Sequence, residues 1–441
     1  MDLLVQGGQL LLSLSLLIVL HEFGHFLPAR LFGTRVEKFY LFFDWKFSLI
    51  KWKHGETEYG LGWIPLGGYV KIAGMIDESL DKEQLNSEPQ SWEFRSKPAW
   101  QRLIIMIGGV TVNLLLGFFI YAMILFTWGT ERLPLSSAEY GMHFDSLLVA
   151  NGFQDGDKIL TIGNERPYDG QDFTKKLLLG DSRKVEVERS GQRVSIVLPN
   201  DFPEQVIEQN KRGPLVFPRF PGVISDVIKG YPAEKAGFKA GDKIERINGK
   251  EVPFWMDINQ AIKSSGGKTL VIDVVGADGG PRSLTVTPNS ESTIGIYPKG
   301  PEELLKTEKQ TYTFFAALPA GVRFGVDVLS GYVAQFKLVF TKAGIKQVGG
   351  FGTMGKLFDK TWDWNTFWER TALISIILAF MNILPIPALD GGHILFLLWE
   401  MISGKPAPEK VLEYAQYVGM ALLLTLMVYA NGNDIFRSFF Q

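Results

Sequence analysis

Four long apolar stretches constrain the fold of this 441-residue chain more than any other feature. They cover residues 9–32, 103–128, 371–389 with a continuation toward 402, and 414–430. A transmembrane helix needs roughly 20 such residues, so we expect four membrane spans. Because only 46% of all residues are hydrophobic, soluble modules should accompany the spans.

The basic residues beside these stretches predict the orientation of the chain. They are Arg30, Arg35 and Lys38 after the first stretch, Arg95, Lys97 and Arg102 before the second, and Lys405 and Lys410 between the third and fourth. By the positive-inside rule these loops are cytoplasmic, which leaves both termini and residues 129–370 outside. The N-terminus lacks the positive region and cleavage site of a secretory signal, so it should remain as a span. A net charge of -2 with dispersed Lys and Arg argues against nucleic-acid binding.

The first apolar stretch contains an HExxH pattern, formed by His21, Glu22 and His25. On a helix this spacing places two imidazoles on one face beside a carboxylate, the arrangement that binds Zn²⁺ and activates water. Three ionisable groups inside a membrane helix each cost several kcal/mol unless they are paired or bind a metal. A functional site is therefore the leading interpretation. The helix rises about 16 Å from Leu10 to His21, which puts the site toward the cytoplasmic side.

A catalytic zinc site with two histidines needs a third protein ligand. The chain has no cysteine, so that ligand must be His, Asp or Glu. Asp390 is favoured, because Pro385 and Pro387 break the third stretch just before it and a carboxylate at that depth needs a cation. Helix capping is the alternative role for Asp390, and His393 is the closest competing ligand.

Two asparagines within apolar stretches are further candidates. Asn382 precedes Asp390 by eight residues, and its amide could bind a peptide carbonyl, stabilise an oxyanion or cap freed backbone groups. Asn113 in the second stretch has the same alternatives with less reason to favour function.

The outer region contains an internal repeat. Residues 152–162 read GFQDGDKILTI and residues 237–247 read GFKAGDKIERI; a helical pattern (170–178 and 254–264) and alternating strands (185–198 and 269–287) follow each. This indicates two copies of one small α+β domain, and the GFxxGDxI pattern resembles the PDZ domain. In the second copy the resemblance places a peptide-carboxylate loop near Gly222, Val223 and Ile224. The alternative is that both modules are spacers that obstruct access.

Two further segments lie beside the spans. Residues 58–71 combine apolar and aromatic residues with a Gly-Gly pair, which predicts a membrane-associated β-hairpin that turns at Gly67 and Gly68 and exposes a substrate-binding edge with Tyr69. The alternative is an interfacial hairpin that only packs on the helices. Residues 313–363 have amphipathic patterns, which favour a helix along the outer membrane surface or a plain connector.

Four motifs together resemble the site-2 protease family of intramembrane zinc metalloproteases, in its bacterial RseP-type branch. They are HEFGH at 21–25, PLGGYVK at 65–71, the tandem PDZ-like repeat and NILPIPALDGGH at 382–393. The resemblance implies that His21, His25 and Asp390 bind Zn²⁺ and that Glu22 is the general base. It also implies substrate positioning by Asn382 and strand pairing around residues 67–69.

Two segments depart from the family pattern. Phe42, Phe43 and Asp44 stand where the family usually has Gly-x-Gly, and the second stretch keeps Asn113 without the usual proline. Neither departure touches the predicted zinc ligands.

The expected fold is a multi-pass α-helical membrane protein with four transmembrane helices, two tandem PDZ-like α+β domains and a membrane-associated β-hairpin. The predicted segments are the first span (1–33), the hairpin region (34–98), the second span (99–129), the two PDZ-like domains (130–213 and 214–298), a linker (299–365), the third span (366–403) and the fourth span with the C-terminus (404–441).

The resemblance implies a monomeric protease in the bacterial inner membrane, with its PDZ-like domains in the periplasm and membrane lipid around its spans. Its expected substrates are the transmembrane segments of single-pass membrane proteins, such as an anti-sigma factor, and signal-peptide remnants, with the PDZ-like domains gating access. A membrane ion or metal transporter and an inert PDZ scaffold are the alternative functions.

Overall fold

A computed structural model describes residues 2–75, 88–209 and 214–440. The chain forms two compact units: Met1–Gly129 with Thr311–Gln441, which we call the membrane unit, and Thr130–Gln310, which we call the outer unit. The predicted boundary between the two PDZ-like domains, at residue 213, lies outside the described residues.

The helices and strands follow one another along the chain. The helices are α1 (Asp2–Leu31), α2 (Ala99–Thr127), α3 (Ser146–Ala150), α4 (Gly170–Leu179), α5 (Phe202–Glu208), α6 (Pro232–Ala236), α7 (Trp255–Ser264), α8 (Pro301–Leu304), α9 (Phe314–Phe336), α10 (Lys342–Ile345), α11 (Phe351–Gly355), α12 (Trp364–Ile383), α13 (Asp390–Ser403) and α14 (Glu409–Phe440). The strands are β1 (Val36–Phe43), β2 (Ile50–His54), β3 (Thr57–Leu61), β4 (Ile64–Ile72), β5 (Thr130–Arg132), β6 (Met142–Phe144), β7 (Lys158–Ile162), β8 (Lys184–Arg189), β9 (Gln192–Val197), β10 (Val216–Pro218), β11 (Ile224–Val227), β12 (Lys243–Ile247), β13 (Lys250–Glu251), β14 (Leu270–Val275), β15 (Pro281–Val286), β16 (Ile296–Pro298) and β17 (Glu308–Gln310).

Five helices among the described residues are long and apolar enough to cross a membrane: α1, α2, α9 with the turn after it, α12 and α14. This is one more than the four predicted. The additional helix, α9, lies in the segment predicted to be a surface helix or connector. Its Gly321 and Gly325 are buried and lie against Ala122 and Phe118 of α2. Because glycine is only weakly apolar, glycines at such a contact make the sequence of α9 look less hydrophobic than that of the other long helices. Small residues are also what membrane helices use to approach one another.

The third predicted span is broken, as its two prolines predict. Helix α12 ends at Ile383 and α13 begins at Asp390, with Pro385 and Pro387 between them. Ala388 in this connection has a φ of 75°, a left-handed conformation that costs energy for a non-glycine residue. Its backbone N–H donates to Oε1 of Gln416 on α14 over 3.1 Å. The fourth span therefore supports the broken segment that leads to Asp390.

The region after α1 forms a four-stranded sheet with the strand order β2-β3-β1-β4. The predicted turn at Gly67 and Gly68 is wrong, because both glycines and Tyr69 lie within β4, which pairs antiparallel with β1. The glycines serve close packing instead. A Cβ on Gly68 would lie 2.6 Å from Cγ2 of Ile18, and one on Gly67 would lie 2.9 Å from the ring of Phe43. Since β4 is at the edge of the sheet, one side of it has no strand partner among the described residues.

The segment that departs from the family's Gly-x-Gly pattern lies at the end of β1. Phe42 has a φ of 66°, which is the left-handed region that favours glycine. Phe43 stacks on Tyr69 with ring centroids 6.1 Å apart, and Asp44 accepts a hydrogen bond from the Tyr69 hydroxyl over 2.9 Å. Phe43 and Asp44 thus fix the aromatic side chain in the middle of β4.

The outer unit contains two separate hydrophobic cores. One is formed by residues between Ala138 and Val216, the other by residues between Ile224 and Ile294. Each core holds one copy of the repeat, whose helices α4 and α7 and hairpins β8-β9 and β14-β15 coincide with the predicted helical and alternating patterns. Strand β10, at the start of the second predicted domain, pairs with β6 of the first copy.

The repeated Gly-Asp pair has the same structural role in both copies. Gly156 and Gly241 have φ angles of 97° and 89°, which explains why glycine stands there. The next residue, Asp157 or Asp242, is buried. Asp157 accepts two hydrogen bonds of 2.7 Å from Arg189, and Asp242 accepts one from Nη2 of Arg282. A buried carboxylate needs such a partner.

Candidate active site

Three side chains from two elements of the membrane unit converge on one point. His21 and His25 lie one turn apart on α1, and their Nε2 atoms are 3.2 Å apart. Oδ2 of Asp390, the first residue of α13, is 3.3 Å from Nε2 of His21 and 3.4 Å from Nε2 of His25. The predicted ligands therefore form a nearly equilateral triangle, although more than 360 residues separate His25 from Asp390 in sequence.

This triangle fits a zinc ion. Ligand atoms at 2.0–2.1 Å from a tetrahedral zinc lie about 3.3–3.4 Å from one another, and the three distances here are 3.2, 3.3 and 3.4 Å. Oδ2 of Asp390 is buried without a hydrogen-bond donor, as expected for an atom that binds a cation. Two imidazoles and one carboxylate are a donor set of catalytic zinc sites, in which water takes the fourth position.

Glycines at the contact between α1 and α2 make room for the histidines. A Cβ on Gly24 would lie 2.8 Å from Cα of Gly109, and a Cβ on Gly109 would lie 2.7 Å from Cε1 of His21. Any larger residue at either position would push the helices apart. Neither glycine was predicted to be important from the sequence, although Gly24, a small residue inside the HExxH pattern, was a usable signal.

Helix α2 also fixes the orientation of one imidazole. Nδ1 of His25 is 2.8 Å from the backbone carbonyl oxygen of Ile105. A carbonyl only accepts, so Nδ1 carries the proton and the lone pair of Nε2 faces the triangle. On His21, Nδ1 is 3.2 Å from Nδ2 of Asn113.

Glu22 lies between the ligand triangle and the edge strand β4. Its carboxyl group interacts electrostatically with His21, His25 and Asp390 and lies near the backbone N–H of Val70. A Cβ on Gly68 would lie 3.5 Å from its Cγ. The carboxylate predicted to be the general base therefore adjoins both the ligands and the strand predicted to bind substrate.

Asn382, near the end of α12, reaches the same point. Its Nδ2 is 3.4 Å from Nε2 of His21, close enough for the amide to meet a group bound at the triangle. The side chain of Tyr69, in contrast, stacks within the sheet on Tyr40, with ring centroids 5.3 Å apart. The Tyr69 ring is therefore held within the sheet by Tyr40, Phe43 and Asp44.

Two other predicted candidates, His393 and the peptide-carboxylate loop, are not part of the ligand triangle. His393 is not part of the metal-ligand cluster found among the described residues. It lines a cavity of about 380 Å³ that also borders Pro387 and Gly392 and contains the Arg102–Glu400 ion pair of 2.5 Å. This cavity lies beside the broken segment that leads to Asp390.

The predicted peptide-carboxylate loop belongs to the outer unit. Within it, the N–H of Val223 donates to the carbonyl of Pro221 over 2.9 Å, and the N–H of Ile224 donates to the carbonyl of Asp242 over 2.8 Å. Gly222 packs against Ile258 of α7. Carboxylate binding by these two amides would require both internal bonds to open.

The sequence matches the family model described as "Peptidase family M50" over residues 9–426. It is 30% identical to Protease RseP of Yersinia pestis, over 99% of this chain and 100% of that protein. It is also 30% identical to a putative zinc metalloprotease of Vibrio cholerae and to the regulator of sigma-E protease RseP of Escherichia coli K12, over 97% of each chain. These similarities cover both units and every residue of the ligand triangle.

Proposed function

The chain belongs to peptidase family M50 and is a membrane-embedded zinc metalloprotease of the site-2 type, and we propose that it cleaves transmembrane segments of single-pass membrane proteins. The observation that carries this proposal is the triangle of His21, His25 and Asp390, which is built from two helices of the membrane unit. A peptidase site inside apolar elements acts on peptide bonds that are themselves in the membrane.

Each residue around the triangle has a defined part in the reaction. Zinc held by His21, His25 and Asp390 supplies Lewis-acid chemistry and lowers the pKa of water. Glu22 accepts the proton of the attacking water on its carboxylate and passes it to the nitrogen of the leaving amine. The Asn382 amide donates a hydrogen bond to the substrate carbonyl oxygen as negative charge develops there.

The substrate binds as an extended strand along β4. A helical segment hides its backbone, so the scissile bond becomes accessible only where the substrate unwinds. Among the described residues one edge of β4 has no strand partner, so it offers backbone N–H and C=O groups for such a strand. Substrates with helix-breaking residues should therefore be cleaved faster.

We further propose the location and substrates that suit this site. The positively flanked loops support a position of the triangle toward the cytoplasmic side of a bacterial inner membrane and of the outer unit in the periplasm. In this topology α9 packs against α2 without crossing the membrane, since a fifth crossing would put the loop with Lys405 and Lys410 outside. The protein acts as a monomer surrounded by lipid. Its substrates are an anti-sigma factor, since related proteins are named regulators of sigma E, and signal-peptide remnants.

The outer unit, with its two PDZ-like copies, is proposed to exclude substrates that still carry large outer domains. Residues 222–224 of the second copy are the candidate loop for the end of a trimmed substrate chain, whose binding would open the hydrogen bonds from Val223 to Pro221 and from Ile224 to Asp242. The repeat itself supports this role, because PDZ-like modules bind chain ends or extended segments.

A Glu22→Gln strain tests the protease function. The amide keeps the shape of Glu22 but cannot accept the proton of water, so membrane stubs of single-pass proteins should accumulate. Membrane proteomics against the wild type measures them, with Glu369→Gln, a half-exposed carboxyl on α12, as the matched control. The absence of accumulated stubs in the Glu22→Gln strain would refute the proposal.

Replacement of residues 133–307 by a two-residue turn tests the gating function. Arg132 and Glu308 are direct partners of the β5-β17 pair, so a short turn can join them. We expect the shortened protein to keep its zinc and to cleave substrates with intact outer domains. Unchanged selectivity would contradict gating while leaving the protease function intact.

A further inference from the structure

We propose that Asn113 is a positioning residue for the zinc site, and that its side-chain oxygen accepts a hydrogen bond from Nδ1–H of His21. This proposal rests on the proposed zinc site. Asn113 lies on α2, a helix that supplies no member of the ligand triangle. Its role is to hold His21 in the tautomer that binds a metal.

The position of His21 requires this tautomer. Nε2 of His21 faces the triangle, 3.2 Å from Nε2 of His25 and 3.3 Å from Oδ2 of Asp390. A histidine that binds a metal through Nε2 is neutral and carries its proton on Nδ1. An N–H in apolar surroundings needs an acceptor, and such acceptors orient the ring and raise the basicity of the ligand.

Asn113 is the side chain in place to accept that proton. Its amide is 3.2 Å from Nδ1 of His21, and the residue is only 1% exposed. Oδ1 of Asn113 is buried without a donor, while Nδ2 points at Nδ1. Rotation of the amide by 180° preserves its shape and exchanges the two atoms. Oδ1 then meets the Nδ1–H group, and two donors no longer face one another.

The surroundings hold Asn113 between the two ligand-bearing elements. Its backbone carbonyl accepts a hydrogen bond of 2.7 Å from Oγ of Ser375, on the helix that leads to Asp390. Four residues earlier, Gly109 brings α2 against both histidines. On the same helix the Ile105 carbonyl accepts from Nδ1 of His25 over 2.8 Å. Helix α2 therefore orients both imidazoles, one through its backbone and one through Asn113.

Two substitutions in the full-length protein distinguish acceptance from donation. Asn113→Leu removes the acceptor, so zinc affinity measured by chelator competition should fall 10- to 100-fold. Asn113→Asp can only accept, so it should bind zinc at least as tightly as the wild type. Thr111→Val, an exposed position on the same helix, should leave the affinity unchanged. Thermal unfolding of the metal-free variants reports whether they fold.

Two spectroscopic measurements make the result independent of activity. The Co²⁺ absorption spectrum should stay that of a four-coordinate site in Asn113→Asp and change in Asn113→Leu. Nitrogen NMR of histidine-labelled, zinc-loaded wild type should show a protonated Nδ1 on His21, which remains measurable if a variant does not fold.

The proposal is overturned if Asn113→Asp loses zinc as Asn113→Leu does, if Asn113→Leu keeps the wild-type affinity, or if Nδ1 carries no proton. In these cases wild-type zinc binding leaves the protease function standing. A wild-type protein that binds no zinc would overturn both proposals.

Discussion

Gly109 provides the sharpest structural test of the contact between α1 and α2. In Gly109→Ala the new Cβ would lie 2.7 Å from Cε1 and 2.9 Å from Nδ1 of His21. Non-bonded carbon atoms prefer about 3.5–4.0 Å, so the imidazole or the helix must move by roughly 1 Å. The ligand triangle has sides of 3.2–3.4 Å, and zinc tolerates distance errors of only about 0.2 Å.

The expected loss follows from the cost of this overlap. Overpacking a well-packed contact costs about 1–3 kcal/mol. At about 1.4 kcal/mol per tenfold change, zinc affinity should fall about 5- to 150-fold if the strain is relieved in the metal-free state. Competition with a chromophoric chelator measures the dissociation constant of zinc on the purified protein.

Gly8→Ala is the matched control for this substitution. Gly8 lies on α1, and a Cβ there would meet nothing within 4 Å. Its zinc affinity should equal that of the wild type. An affinity of Gly109→Ala within twofold of Gly8→Ala would refute the idea that this glycine makes room for the zinc ligands.

Two further substitutions test β4 and the outer unit. In Gly68→Ala the Cβ would lie 2.6 Å from Cγ2 of Ile18 and 2.8 Å from the carbonyl oxygen of Tyr40. We therefore expect β4 to shift and cleavage to fall at least about tenfold, while the zinc content stays unchanged. Normal cleavage by this variant would contradict strand binding. In the outer unit, the hydrogen bond with Asp155 raises the pKa of His143. The charge of Asp257 also raises this pKa, whereas burial and the charge of Arg219 lower it. The folded state then binds more protons than the unfolded state, so this contribution is complete below the unfolded pKa near 6.5 and is lost as pH rises through the higher folded value. The difference in unfolding midpoint between His143→Gln and the wild type should show this pH dependence. It should correspond to under about 1 kcal/mol, because the His143–Asp155 pair is one-third exposed. A difference that stays constant across this pH range would contradict the prediction.

Local sequence patterns predict the parts of this molecule that depend on local chemistry. The spacing of His21 and His25 specifies one helix face, and the cost of a membrane carboxylate points to Asp390. Pro385 and Pro387 locate the helix break, since proline lacks a backbone donor. The repeat likewise reveals two copies of a domain, because each copy carries its own helix and hairpin signals.

The remaining features depend on contacts between distant segments. A Gly-Gly pair indicates a turn when it is considered alone, but Gly67 and Gly68 are glycines because Phe43 and Ile18 pack against them. Gly109 follows the same logic at the histidines. The pairing of Asp157 with Arg189 was also not predicted, since nothing local marks that arginine as a partner.

Reconstituted proteolysis tests the central claim most directly. Purified wild type and Glu22→Gln, with equal measured zinc content, are placed in liposomes with a single-pass substrate, and the products are identified by mass spectrometry. We expect the wild type to cut within the transmembrane segment and Glu22→Gln to leave it intact. Equal cleavage by both proteins, or cleavage by the wild type only outside that segment, would contradict an intramembrane zinc protease in which Glu22 is the base.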